Sequence, residues 1–184
     1  MSRKRESAMM KARAPRAAGF SMIELLVAVL VMGIGVLGVT GLQMVSLQNN
    51  RTALERAEAV QLAYDMMDRI RANPEGAPPG TAYDGLALGD APQYQSCVSG
   101  DNCSGAQMVT FHEGSWKCVL GRFVNDAACA SYRADGVIAP AADQPGLPNG
   151  DGAIAVDGNG VVTITVQWTE ANNQVQTVVI DSQG

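Results

Sequence analysis

The chain has 184 residues, 47% of them hydrophobic, and a formal net charge of −5, a size that suits one domain plus an anchor. Residues 1–19 hold six bases and one acid, while the remainder holds seven bases and 17 acids. That acidic remainder argues against binding nucleic acid by phosphate neutralisation.

The basic residues Arg3, Lys4, Arg5, Lys11, Arg13 and Arg16 precede a Gly19-Phe20 junction. Such a segment stays cytoplasmic by the positive-inside rule. From Leu25 to Leu42 no charged or strongly polar side chain occurs, and the first charge after Glu24 is Arg51. At about 1.5 Å per residue, Leu25 to Leu47 covers a bilayer core of about 30 Å. The pattern predicts a transmembrane helix over 20–47 with the head on the non-cytoplasmic side. A secretory signal would be shorter and would carry its small-residue cleavage site after the apolar run. Here the small residues Ala17-Ala18-Gly19 lie ahead of it. Cleavage after Gly19 would leave Phe20 as a new N-terminus with the helix attached.

Glu24 stands almost at the start of this span. A carboxylate inside an apolar span costs about 2.5–3.5 kcal/mol on insertion scales, which marks it as functional and in need of a partner. The α-amine created at Phe20, in the same chain or a neighbour, is one partner; the alternative is snorkelling to the headgroups. Gly33, Gly35, Gly38 and Gly41 interrupt the span with no two of them four apart, so a GxxxG face is absent. They fit either close helix packing or a segment that loosens on leaving lipid.

No Pro or Gly occurs from Ser46 to Ala72, so the helix continues over 48–73. Leu62, Met66 and Ile70, flanked by Ala59 and Ala63, form one apolar stripe. Arg51, Glu58, Asp65 and Arg69 lie on another face, with Asp65 and Arg69 a favourable i,i+4 pair. Asn73-Pro74 ends the helix. The head at 74–184 begins with a loop from Glu75 to Gly105, followed by a short helix predicted over Glu113–Val124 on the spacing of Trp116, Leu120 and Phe123. A second loop is expected from Ala127 to Gly152. Val162, Ile164, Val166 and Trp168 then alternate with polar or β-branched neighbours. Flanked by Ala153–Val156 and Gln174–Asp181, they predict a three-stranded antiparallel meander that covers the helix stripe. The fold class is therefore α+β.

Cys97, Cys103, Cys118 and Cys129 all follow the span, and an even count there suggests disulfides made in an oxidising compartment. Four cysteines allow three pairings; local closure costs least entropy and favours 97 with 103 and 118 with 129. A zinc site lacks its spacing, since no CxxC occurs and His112 is the only histidine. The acids around Asp157-Gly158-Asn159-Gly160 read as turn chemistry rather than a calcium loop. No catalytic motif stands out, so no enzyme activity and no cofactor are expected.

Gly19, Phe20 and Ser21-Met22-Ile23-Glu24-Leu25-Leu26 after a basic leader resemble the signal of type IV pilins and pseudopilins. The resemblance implies a leader at 1–19 removed by prepilin peptidase, methylation of Phe20 and a docking role for Glu24 against other pilins. Leu62-Ala63-Tyr64-Asp65-Met66-Met67-Asp68-Arg69-Ile70-Arg71-Ala72-Asn73-Pro74, with Leu147–Gly152 and Thr163–Trp168, resembles PilV-type minor pilins. Residues from about Glu75 to Gln144 are outside that likeness. The implied function is a minor pilin acting in pilus assembly. A minor pseudopilin of type II secretion and a signal-anchored periplasmic binding protein are the alternatives.

Overall fold

Fifty-one residues free of proline, Met22–Ala72, form one helix, α1. The structure is a computed structural model that describes residues 19–76, 78–98 and 101–183; of the leader expected at 1–19, all but Gly19 lies outside them. The chain divides into two compact units, Met1–Leu47 and Gln48–Gly184. Within the first, every described side chain is exposed. The helix is long and apolar enough to cross a membrane, with a mean hydropathy of 2.6 over its most apolar 18 residues. Its one hydroxyl in mid-span, Thr40, donates to the Leu37 carbonyl at 2.9 Å, the internal satisfaction that a lipid environment demands.

In the second unit α1 buries Ala59, Ala63, Met66, Met67 and Ile70; Leu62, expected at the centre of the stripe, is only partly covered. The two alanines let the covering elements approach closely, which shifts the buried arc toward Ala59–Ala63–Met67. Asp65 and Arg69 pair at 2.8 Å. The chain leaves α1 at Asn73, makes a 3-10 turn at Thr81–Tyr83, and reaches a second helix, α2, at Gly105–Leu120. This corrects the expected Glu113–Val124 at both ends. Ser104 and Gln107 form a capping box that starts the helix eight residues earlier. Gly121, at φ +122°, stops it, and a Cβ there would sit 2.2 Å from the Leu147 carbonyl oxygen. A third helix, α3, occupies Ala127–Ala134 within what was expected to be loop. Asp126 caps it through the Ala128 amide at 2.8 Å.

Three strands follow, β1 (Asp151–Val156), β2 (Val161–Thr169) and β3 (Val175–Gln183), in the order β1-β2-β3. Both pairings are antiparallel; Ile164 lies opposite Ile154 on one side and Ile180 on the other. The alternation on β2 is complete, with Val162, Ile164, Val166 and Trp168 buried. These side chains join the α1 stripe and Val109, Trp116, Val119 and Leu120 of α2 in one core. Burying each large apolar side chain contributes about 1.5–3 kcal/mol. The wholly buried Trp116 donates its indole N–H to the Leu62 carbonyl at 2.9 Å. Its ring fills the space that a side chain at 152 would need, since a Cβ on Gly152 would lie 2.2 Å from it. Cys118 joins Cys129, tying α2 to α3, and Cys97 joins Cys103 in the loop before α2.

Candidate processing and docking site

Gly19 and Phe20 precede α1, and Phe20 is 78% exposed. Ser21 closes the helix end: its carbonyl accepts from the Glu24 and Leu25 amides at 3.0 and 3.3 Å, and its hydroxyl from the Ile23 amide at 3.4 Å. Glu24 therefore lies in the first turn, where the helix macrodipole favours a negative charge. Ser21-x-x-Glu24 also has the form of a capping box, a signal that the sequence reading passed over. Neither half of the box is made: the Ser21 hydroxyl caps through the Ile23 amide instead of the Glu24 amide. Among the described residues the Glu24 carboxylate has neither a hydrogen bond nor an ion pair. It lies four residues after Phe20 in sequence and is exposed.

Gly33, Gly35, Gly38 and Gly41 share that openness. A Cβ at any of them would meet nothing within 4 Å, so packing inside this chain does not require glycine.

In the second unit the only histidine is committed to structure. Tyr83 accepts from the Asn73 side-chain amide at 2.9 Å and its hydroxyl lies 2.8 Å from His112 Nδ1. With the phenol donating, His112 is neutral and carries its proton on Nε2. Burial, with Arg69 adding to it, lowers its pKa to about 4. No cysteine is free among the described residues, so neither a thiolate nor an available imidazole is present for nucleophilic chemistry or metal ligation. Asp157 accepts from the Asn159 and Val161 amides at 2.9 and 2.8 Å, which keeps its carboxyl below the usual range and assigns it to the turn.

A buried ionic cluster, which sequence reading missed, holds α2 to β1. Lys117 is 0% exposed, and its ammonium lies 2.6 Å from Asp151 Oδ1 and donates to the Ala87 carbonyl at 2.8 Å. Asp151 also accepts from Arg122 at 3.1 Å, the Gly89 amide at 2.7 Å and its neighbour Gly152 at 2.8 Å. A charge pair this deep is sustained only when such extra donors fill the remaining lone pairs.

Residues 15–40 match the prokaryotic N-terminal methylation motif, and residues 41–113 match the family described as type IV pilin Tt1218. No curated protein and no solved structure matches the chain. The motif and the apolar helix suggest membrane anchoring. It also implies processing by a prepilin peptidase. Type IV pilins are structural subunits, not enzymes, and the two adjoining matches support a type IV pilin.

Proposed function

We propose that the chain is a minor pilin, most like the PilV type, that is inserted in the inner membrane and takes part in pilus assembly. Prepilin peptidase cuts after Gly19, Phe20 becomes the methylated N-terminus, and the new α-amine of one subunit meets Glu24 of another as the two dock. The head faces the periplasm, and the other major and minor pilins are the partners. The observation that carries this reading is Glu24 itself, a single acid in the first turn of an otherwise apolar span that has no partner among the described residues. A mere anchor has no use for that carboxylate, whereas a docking subunit does. The attraction gains from the low dielectric of lipid but also pays desolvation, so the expected benefit is register rather than net stability.

The test is Glu24→Leu in a deletion strain. The variant should be cleaved, carry N-methylated Phe20 by mass spectrometry, remain in the membrane and yet be depleted from sheared pili. Full complementation would mean that the acid only snorkels. Pilus counts and a secretion assay in the same deletion strain separate the pilus from type II secretion, since lost pili with intact secretion is the expected pair of results.

A further inference from the structure

The turn between β2 and β3 faces the first turns of α1 in the second unit. Its shape is fixed by Asn173 at φ +62°. The Asn173 amide donates to the Glu170 carbonyl and the Glu170 amide to the Gln174 carbonyl, both at 2.9 Å. Turn and helix enclose a notch of about 360 Å³, lined by Gln48, Arg51, Thr52 and Glu55 of α1 and by Glu170 and Asn172 of the turn, among others. That is the size of a small-molecule pocket.

The lining carries both signs of charge. Glu55 is only 8% exposed, a depth that carboxylates reach rarely and only when paired. Its Oε1 accepts from Arg51 Nε at 2.8 Å. Among the described residues Glu55 Oε2, the two terminal nitrogens of Arg51 and the Glu170 carboxylate have no hydrogen-bond partner. Asn172 spends its side-chain oxygen on the Gln174 amide at 2.9 Å, which leaves its NH₂ free to donate. One cation against two acids makes the notch net negative. A ligand that satisfies it must bring a cation with N–H donors, and an anion beside that cation meets Arg51.

The chain also sets the place of the notch. Gln48 directly follows Leu47, the last apolar residue of the span, and Arg51 comes four residues after it, about 6 Å of helix rise. The headgroup layer on each side of a bilayer core is about 5–8 Å deep.

We propose that the notch holds the headgroup of an amine-bearing phospholipid of the phosphatidylethanolamine class. Its primary ammonium donates to Glu55 and Glu170, and its phosphate accepts from Arg51 and Asn172. A choline headgroup carries the same charges but has no N–H to offer the buried carboxylate. A glycerol headgroup brings the phosphate without a cation and is repelled by the net negative lining. The site asks of the helix only that it anchors the head in a bilayer, and is independent of the docking role of Glu24.

Native mass spectrometry of the full-length chain, released from nanodiscs of equal parts phosphatidylethanolamine, phosphatidylcholine and phosphatidylglycerol, reads which lipid is retained. The ethanolamine lipid should be enriched about tenfold over each of the others, the worth of one charge-assisted hydrogen bond. Glu170→Gln, in a turn outside the core, should remove most of that enrichment. Glu58→Gln, which deletes an exposed acid of the same stretch of α1 outside the notch, should leave it unchanged. Equal retention of the three lipids, enrichment of the glycerol lipid, or full enrichment in Glu170→Gln overturns the proposal. A lipid-free dimer that Glu170→Gln dissociates would give the notch to a neighbouring subunit and overturns it as well.

Discussion

Replacing Lys117 by methionine keeps most of the side-chain volume and deletes one charge from the centre of the head. The deletion strands Asp151, which is nearly as buried as the lysine. Breaking one partner of a buried pair typically costs about 3–5 kcal/mol. Asp151 would retain Arg122, itself half-exposed at 50%, and the amides of Gly89 and Gly152. Those survivors place the loss at the low end, about 3 kcal/mol, which for a head of this size lowers Tm by about 10 °C. Near-ultraviolet circular dichroism, reporting the buried Trp116 and Trp168, is a suitable melt signal. Asp151→Asn alone and the double variant complete a thermodynamic cycle. The double variant should be less destabilised than the sum of the singles by about 1–3 kcal/mol. A drop under about 2 °C for Lys117→Met, or strict additivity, would refute the claim that this pair ties α2 to β1.

The two disulfides should respond differently to reduction. Cys97–Cys103 is partly exposed and should open first to a small thiol, whereas Cys118–Cys129 is buried; peptide mapping after graded reduction decides the order. Serine at 118 and 129 together should cost about 2–3 kcal/mol in urea titrations. Gly152→Ala should destabilise by about 1–3 kcal/mol through its clash with the Trp116 ring, and wild-type stability would mean that the ring moves freely. His112 supplies an acid-sensitive term: because its pKa falls from 6.5 to about 4 on folding, stability is present above pH 6.5 and is lost as pH falls toward 4. His112→Gln should flatten melts across that window, and an unaltered pH profile would count against it.

The strands were legible because β2 alternates without a break and its turns are made of Asp, Asn and Gly, so local chemistry and burial agree. Long α1 was legible for the same reason. The two short helices were not. For α2 the periodicity of Trp116, Leu120 and Phe123 suggested a later start, although the Ser104–Gln107 capping box was present to be read. For α3 only Cys129 and Tyr132 are buried, too few positions to stand out among Gly- and Pro-rich flanks. The Lys117–Asp151 cluster joins residues 34 apart in sequence, and nothing local distinguishes that lysine from a solvated one. At the processing segment the position of Glu24 was visible, but the cap that Ser21 makes at the helix end required the geometry.

The order of the elements along the chain also fixes an order in time. The apolar arc of α1 is complete once Ala72 has been made, yet β2 and β3, which help cover it, end at Gln183. At roughly 5–20 residues per second, synthesis leaves that arc uncovered for about 5–20 s. The sheet is a meander of sequence neighbours, so its contacts are local and it closes quickly once its last strand is available. Exposure of Met66, Met67 and Ile70 is therefore governed by the pace of translation rather than by folding. Throughout that interval a nascent subunit offers other chains the same sticky surface that its own last strands later conceal.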